Sequence, residues 1–316
     1  MARLSIPSEV SSGLTAATLA LVFVRPVVTF VFRYFLRPKR DLKKDYQGTW
    51  AVITGASAGI GLEISLLLAQ HGIHLVLIAR NLSTLRDVAG NIESKYGVKT
   101  HVVSIDAAKC KGENSRTIFE DLMDILKPLS VSMLINNVSV HNDIPANIDD
   151  MLPGDAERIL TVNCLFQTEL TALMVPLLKC KHATSPLIVN ISSLTSQMTM
   201  PMLSVYAASK AFQEHWSRCL SAELEPTGIL VQCLRPGITV SRMSGISSPS
   251  FFCPSASVMA RACVNVFGRP GLPSCAPYWP HAILDGVNAW VPSSLAWKAV
   301  RIIHQKKRQD MMNVQK

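Results

Sequence analysis

The sequence predicts an α/β fold with a doubly wound parallel sheet, an N-terminal membrane segment and a C-terminal apolar helical extension. Strand-like and helix-like patterns alternate from residue 49 to residue 240, which indicates parallel βαβ units. A glycine-rich turn separates the first strand of this region from its first helix. Apolar stretches with basic flanks occupy both ends of the chain, which is typical of contact with a membrane.

The N-terminal segment, residues 10–36, is mostly apolar and is followed by the basic run Arg37-Pro38-Lys39-Arg40. A spanning helix needs about 20 apolar residues, so the segment is long enough to cross a bilayer. Arg25 and Pro26 interrupt it, so it either spans with a kink or lies in the interface. A cleaved signal peptide is the third alternative. We expect residues 1–46 to form an anchor and linker, with the basic run and the following domain in the cytosol.

The glycine-rich turn lies between the strand-like run 50–53 and a helix with apolar periodicity. Glycines allow a tight turn and a close approach of the backbone to a pyrophosphate at the helix N-terminus. The sequence therefore predicts a Rossmann dinucleotide-binding domain over residues 47–276, although an ordinary βα turn has the same pattern. The expected binding residues of this turn are Gly55, Ser57, Gly59, Ile60 and Gly61.

The second strand, residues 74–79, ends in Ala79 and is followed by Arg80. NAD-binding folds usually carry an acid at this position to hold the ribose 2′-hydroxyl. An arginine instead matches a 2′-phosphate, because its planar fork fits phosphate geometry. Arg80 therefore favours NADP(H), unless it is a solvated loop charge.

Tyr206 and Lys210 are four residues apart in a helical stretch, so their side chains share one face. An ammonium beside a phenol favours the phenolate, which predicts that Lys210 lowers the pKa of Tyr206. Ser193 follows an apolar strand and stands 13 residues before Tyr206. These three residues are the candidate acid–base centre, with ordinary packing roles as the alternative.

With these motifs the chain resembles the short-chain dehydrogenase/reductase family. The matching motifs occur in the family's order over residues 48–245. They are Thr54-Gly55-x3-Gly59-x-Gly61, Asp106, Asn136-Asn137-Val138, Asn163, Ser193, Tyr206-x3-Lys210, and Pro236-Gly237 followed by Thr239. The resemblance implies a catalytic tetrad of Asn163, Ser193, Tyr206 and Lys210. It also implies further cofactor contacts at Asp106, Asn137, Lys210, Pro236, Gly237 and Thr239.

The resemblance implies that the chain is an NADPH-dependent ketone reductase. Tyr206 would donate the proton, Ser193 would orient the carbonyl oxygen, and Lys210 would hold the nicotinamide ribose. Asn163 would position a water that leads from Lys210 to solvent. Ser139 departs from the family pattern, which has glycine after Asn-Asn-Val. A weakly active membrane scaffold that binds NADP(H) or lipid is therefore the alternative of another class.

The nearest branch in this resemblance is membrane-associated and contains very-long-chain 3-oxoacyl-CoA reductases and 17β-hydroxysteroid dehydrogenases. It implies a large lipid-like substrate, with a long-chain 3-oxoacyl-CoA ranked ahead of a 17-ketosteroid. It also implies the endoplasmic reticulum membrane, and a homodimer and fatty acid elongation enzymes as candidate partners. Residues 239–276 are expected to form a lid over the substrate, rich in Met and Phe: Met243, Phe251, Phe252, Met259 and Phe267.

Residues 277–316 form the C-terminal extension, which carries three tryptophans and several basic residues. An interfacial helix and a helix that packs on its own domain or on a second subunit both fit this pattern. The net charge of +9 is confined to the ends, since residues 1–48 and 298–316 each carry +5. This distribution favours a membrane surface over nucleic acid. The eight cysteines are scattered without metal-ligand spacing, so we expect no metal site.

Overall fold

The computed structural model describes residues 21, 24–180, 182–269 and 271–314. It contains two compact units, residues 1–39 and 40–316. Much of the predicted membrane segment, 10–36, lies outside the described residues. Its described part is helix α1 (Arg25–Val31), which continues as a π-helical turn over Phe32–Leu36. Pro26 lies in the first turn of α1, and Val24, the residue before this helix, already has a helical backbone.

The second unit contains a seven-stranded parallel sheet in the order β3-β2-β1-β4-β5-β6-β7. The strand order reverses direction between β1 and β4, so the predicted doubly wound α/β fold is confirmed. The strands are β1 (Trp50–Thr54), β2 (His74–Ala79), β3 (Thr100–Ser104), β4 (Val131–Asn136), β5 (Leu187–Ile191), β6 (Leu230–Leu234) and β7 (Ser274–Cys275).

Helices cover both faces of this sheet, which buries the central strands on two sides. Before the first strand lies α2 (Leu42–Tyr46). The helices that follow the first strand are α3 (Gly59–Gln70), α4 (Leu82–Tyr96), α5 (Glu113–Leu126), α6 (Asp155–Leu160), α7 (Phe166–Lys179), α8 (Ser204–Leu224), α9 (Ala256–Val266), α10 (Trp279–Trp290) and α11 (Ser293–Val314). A π-helical turn, Thr161–Leu165, joins α6 to α7.

Two apolar clusters form the core, one on each face of the sheet. Ile53 and Leu77 belong to one cluster, whereas their strand neighbours Val52 and Val76 belong to the other. This division follows from the period of two along a strand, which sends alternate side chains to opposite faces. All residues of β1, β4 and β5 are buried, so these strands form the rigid centre on which the site is built.

The compact unit of the structure begins at Arg40, within the predicted anchor and linker segment, residues 1–46. Leu42 and Tyr46 are buried and belong to the core cluster. The Tyr46 hydroxyl also donates a hydrogen bond to the Ser185 carbonyl oxygen at 2.6 Å. Helix α2 is therefore part of the folded domain rather than of a linker.

The predicted lid, residues 239–276, contains an irregular part and a helical part. Residues 239–255 are irregular, and Met243, Phe251 and Phe252 are exposed there, as a lid requires. Met259 and Phe267 are fully buried in the core cluster that also contains residues of α3. Met259 lies on the buried face of α9 and Phe267 directly follows that helix, so both side chains belong to the core rather than to an exposed apolar surface.

The C-terminal extension consists of α10 and α11, with Pro292 in the break between them. The later part of α11 packs on its own domain: His304 is buried, and its Nδ1 lies 2.7 Å from the Pro201 carbonyl oxygen. Lys307 donates to the Ser244 carbonyl oxygen, and Arg308 forms an ion pair with Asp150 at 3.1 Å. Along α10 and the first part of α11, apolar side chains are exposed: Val287, Trp290, Leu295, Ile302 and Ile303.

One stretch among the described residues, 155–179, is long and apolar enough to cross a membrane. Half of its most apolar window is buried within the protein, and it contains α6 and α7 of the sheet cover. The stretch is therefore a core element of the α/β domain, and it is distinct from the predicted N-terminal anchor.

Candidate active site

The predicted site residues converge at the carboxyl ends of the parallel strands. The glycine turn follows β1, Asn137 follows β4, Ser193 follows β5 and Gly237 follows β6. Ligands of open α/β sheets bind at this edge, beside the point where the strand order reverses.

The glycine turn has the conformation that the sequence predicts. Gly55 has φ +68°, and Gly59, the first residue of α3, has φ +60°. A side chain on Gly61 would lie 2.4 Å from the Gly55 carbonyl oxygen, so the packing of this turn requires glycine there. At Gly59 an added Cβ would meet no atom within 4 Å, and its backbone is open to a ligand. Ser57 and Ile60 are half-buried beside it.

Asn137 holds this turn against the next strand. Its Nδ2 donates to the carbonyl oxygens of Thr54 at 3.0 Å and Gly55 at 3.3 Å. Asn136, which is fully buried, donates through Nδ2 to Asn190 Oδ1 and Thr171 Oγ1, each at 2.8 Å. The Asn-Asn pair therefore ties β4 to the glycine turn on one side and to β5 and α7 on the other.

The remaining predicted cofactor contacts lie around the glycine turn. The Gly55 N–H donates to the Ile78 carbonyl oxygen at 2.8 Å, so the turn lies against the end of β2. Arg80 follows this end and is exposed. Asp106 is half-buried after β3 and accepts a hydrogen bond from the Ala108 N–H.

These residues fit a dinucleotide. Helix α3 begins without a side-chain cap, so the N–H groups of its first turn can bind a pyrophosphate. The open backbone at Gly59 gives the close approach that such a group needs, and Arg80 supplies a cation at the end of β2.

Tyr206 lies in the first turn of α8 and is half-buried. Burial raises its pKa, and the nearby Ser193 and Thr195 side chains only partly offset this effect. The predicted lowering of this pKa by Lys210 is wrong in this structure, because loss of hydration destabilises the phenolate more than its neighbours stabilise it. The phenol therefore stays protonated near neutral pH, as a proton donor must.

Lys210 is fully buried one turn further along α8. Its Nζ lies 5.8 Å from the centre of the Tyr206 ring and donates to the Ile191 carbonyl oxygen at 3.0 Å and to Gln213 Oε1 at 2.9 Å. Burial lowers the Lys210 pKa to about 7, although nearby Cys233 and Cys164 act to raise it. The lysine thus carries only a partial charge near neutral pH, so it is a weak source of stabilisation for a phenolate.

Asn163 is buried in the π-helical turn that joins α6 to α7. Its Nδ2 donates to the Val140 carbonyl oxygen and to Ser209 Oγ, and its Oδ1 accepts from Ser139 Oγ at 3.1 Å. Its backbone carbonyl oxygen accepts a hydrogen bond from Gln213 at 2.8 Å. Ser139 is accommodated here, because its hydroxyl finds a partner in Asn163.

The loop after β6 contains the predicted contacts Pro236, Gly237 and Thr239. The Pro236 carbonyl oxygen accepts from the Leu194 N–H, and the Thr239 hydroxyl donates to the Gly237 carbonyl oxygen. The Gly237 N–H donates to Nδ1 of His281, a buried residue of α10 whose Nε2 lies 2.9 Å from the Phe252 carbonyl oxygen. His281 therefore connects this loop to the irregular segment 239–255.

Sequence reasoning missed three residues of the site: Thr195, Gln213 and His281. A signal for Gln213 was present, because it follows Lys210 by three residues and so lies on the same helix face. A polar residue on a buried helix face needs a partner, which points to the lysine. Thr195 and His281 reach the site through a short 3₁₀ turn and a distant helix, so local spacing gives no sign of them.

Comparison with known proteins supports this architecture. The family described as short chain dehydrogenase matches residues 49–249. A very-long-chain 3-oxoacyl-CoA reductase of Aspergillus clavatus is 34% identical over 280 residues, which cover 87% of this chain and 78% of that protein. A protein of the same name from Coprinopsis cinerea is 34% identical over 278 residues, covering 84% and 79%.

Solved structures of other proteins have the same fold. A short-chain dehydrogenase from Sphingobium yanoikuyae in complex with NADPH has a TM-score of 0.64 and 26% identity, and the match covers 77% of this chain and 94% of that one. A 7beta-hydroxysteroid dehydrogenase has a TM-score of 0.69 at 21% identity, with 83% and 99% covered, which shows a shared fold. With the family match across the glycine turn, Asn163, Ser193, Tyr206 and Lys210, the chain belongs to the short-chain dehydrogenases and is an oxidoreductase of that family.

Proposed function

We propose that this protein reduces a long-chain 3-oxoacyl-CoA with NADPH, the ketone reduction step of fatty acid elongation. The observation that carries the proposal is the grouping of Ser193, Tyr206 and Lys210 at the sheet edge, beside a turn that fits a dinucleotide. The named relatives, at 34% identity over most of the chain, supply the substrate class.

In this proposal NADPH supplies the hydride, and the protein supplies orientation and the proton. The phenol of Tyr206 donates its proton to the substrate carbonyl oxygen. The hydroxyl of Ser193, beside Tyr206, orients the same oxygen. Lys210 holds the ribose, and the first turn of α3 with Arg80 holds the phosphates.

An apolar acyl chain is matched by the surface beside the site. Ile238, Met243, Phe251 and Phe252 follow β6 and are exposed, Ile238 by 61%. Exposed apolar side chains grouped around a catalytic edge are typical of a site for an apolar ligand. Met and Phe side chains adapt readily to a flexible chain.

A substrate panel tests the proposal. Full-length protein in detergent would be assayed with NADPH and 3-oxoacyl-CoAs of several lengths, 17-ketosteroids and small water-soluble ketones. We expect kcat/KM to be highest for a long-chain 3-oxoacyl-CoA. A preference of about tenfold or more for 17-ketosteroids would identify a steroid, rather than the acyl-CoA, as the substrate. A preference for small ketones would contradict the role of the apolar surface, and NADPH binding without any turnover would favour a scaffold.

Arg80→Ala is expected to weaken NADPH binding by about 10-fold to 100-fold and to leave NADH binding nearly unchanged, because the lost charge-assisted contact is to the 2′-phosphate. Nicotinamide fluorescence titrations of both cofactors give the ratio of the two affinities. Arg86→Ala is a matched control, since Arg86 is an exposed cation one and a half turns along α4. An unchanged ratio would make Arg80 a solvated charge and remove the residue that selects NADP(H).

We further infer attachment to the endoplasmic reticulum membrane with the α/β unit in the cytosol. The basic residues near residues 37–44 and 298–308 match an anionic membrane surface. The exposed apolar side chains of α10 and early α11 offer a second contact with lipid, of which Trp290 is 77% exposed. We also propose a homodimer and contacts with other elongation enzymes, because the resemblance to the membrane-associated branch implies both.

Deleting residues 1–39 is expected to abolish tight membrane attachment and leave a folded domain, because the compact unit begins at Arg40. Deleting residues 1–46 is expected to destabilise that domain as well, since it removes buried Leu42 and Tyr46. Carbonate and high-salt extraction, followed by thermal unfolding of both truncated proteins, separates the two effects. Membrane retention of the shorter deletion after carbonate would identify the C-terminal helices as the stronger anchor.

A further inference from the structure

Gln213 lies three residues beyond Lys210 on α8, and its side chain is fully buried. All of its side-chain polar groups are engaged. Its Oε1 accepts from Lys210 Nζ at 2.9 Å, while its Nε2 donates to the Asn163 carbonyl oxygen at 2.8 Å and to Gln167 Oε1 at 2.6 Å. Gln213 thus connects two of the four residues that the family resemblance assigns to catalysis.

The orientation of this amide follows from its partners. Lysine is only a donor and a backbone carbonyl is only an acceptor, so the amide oxygen must face Lys210 and the amide nitrogen must face Asn163. Gln167 is fixed in the same way, because its Nε2 donates to the Val138 carbonyl oxygen at 2.7 Å and leaves Oε1 for Gln213. The chain of hydrogen bonds therefore runs in one direction, from Lys210 to the loop after β4.

We propose that Gln213 is a positioning residue that holds Lys210 and occupies the place between Lys210 and Asn163 where the family resemblance implies a water. The effect of Gln213 on catalysis rests on the proposed function, whereas its contact with Lys210 does not. A water can pass a proton on, because it both donates and accepts through one exchangeable oxygen. A primary amide accepts through oxygen and donates through nitrogen, so it does not pass protons in this way. Gln213 itself therefore does not relay a proton from Lys210 towards Asn163.

Gln213 is also a main source of polar stabilisation for the Lys210 ammonium. The other titratable groups that face this lysine are Tyr206 on its own helix, Cys164 beside α7 and Cys233 on β6. Burial raises the pKa of Cys164 to about 11 and that of Cys233 to about 12, so both thiols are uncharged near neutral pH. The Gln213 amide and the Ile191 carbonyl are then the groups whose dipoles favour the charged lysine.

The test is a titration of Lys210 by NMR, in full-length protein with ¹³Cε-labelled lysine in detergent. The resonance is identified by its loss in Lys210→Met. Gln213→Glu places a carboxylate against Nζ and is expected to raise the midpoint by about one pH unit or more, whereas Gln213→Met removes the acceptor and is expected to lower it. Gln167→Met is the matched control, because it shortens the same network but leaves the contact between Gln213 and Lys210 intact.

Kinetics gives a second readout. Gln213→Met is expected to lower kcat for ketone reduction about tenfold with little change in substrate KM, and Gln213→Glu, which keeps the acceptor oxygen, is expected to retain most of the activity. Either variant suffices for the titration if the other fails to fold. A Lys210 midpoint that is the same in wild type and in the folded variants would overturn the inference. Shifted midpoints in a protein that reduces no ketone would preserve the inference and overturn the proposed function instead.

Discussion

Tyr206→Phe is expected to lower kcat about 10²-fold to 10⁴-fold while NADPH affinity changes little, because the variant loses the proton donor and keeps the ring. In the structure this phenol lies beside Ser193 and Lys210 at the carboxyl end of the sheet. Single-turnover reduction, measured by loss of nicotinamide absorbance, separates the chemical step from cofactor binding.

The matched control for this variant is Tyr96→Phe. Tyr96 is a half-buried tyrosine at the end of α4, and its ring contacts Lys95 as the Tyr206 ring contacts Lys210. It is expected to retain full turnover. Activity of Tyr206→Phe within about threefold of wild type would contradict the assignment of Tyr206 as proton donor.

The second large effect is expected at Gly61. Gly61→Ala places a Cβ 2.4 Å from both the Gly55 carbonyl oxygen and Asn137 Nδ2, and the carbonyl belongs to the backbone of the turn. Relief of this overlap must move the turn away from β4, at a cost of about 1–3 kcal/mol of folding free energy. We expect both a lower unfolding temperature and loss of NADPH binding, because the same turn presents α3 to the pyrophosphate.

Gly90→Ala is the corresponding control. Gly90 lies within α4, and an added Cβ there meets no atom within 4 Å. Since alanine favours helix more than glycine by about 1 kcal/mol, this variant is expected to be slightly more stable with unchanged cofactor affinity. A Gly61→Ala protein with wild-type stability and NADPH affinity would show that the turn adapts and that steric crowding does not explain its glycine.

The sequence was sufficient for the sheet and the glycine turn because both rest on local periodicity. Strands such as Trp50–Thr54 are continuous apolar runs, and the glycine positions fall directly after the first of them. The function of Met259 and Phe267 could not be inferred in this way. An apolar residue in an irregular-looking region fits a substrate surface as well as a core. Only the packing around α9 shows that these two residues belong to the core.

The features of the site also divide into those that local spacing predicts and those that depend on the packing of the whole domain. Spacing along one helix predicts that Tyr206 and Lys210 share a face, and the structure places them so. Spacing carries no information on hydration, which is why the pKa of Tyr206 was predicted in the wrong direction. Partners from elsewhere in the chain, such as His281 to Gly237 across 44 residues, depend on how α10 returns to the sheet edge.

Helix α11 has a consequence for how substrate preference could evolve in this protein. Its last turns bond to Pro145, Pro201 and Ser244, which belong to the loops that follow β4, β5 and β6. One helix outside the site thus holds three loops that follow the strand ends where the candidate site lies. Exchanges on α11 that lengthen or shorten these bonds are expected to widen or narrow the entrance together, which gives selection a way to change chain-length preference without altering any residue that touches the reaction.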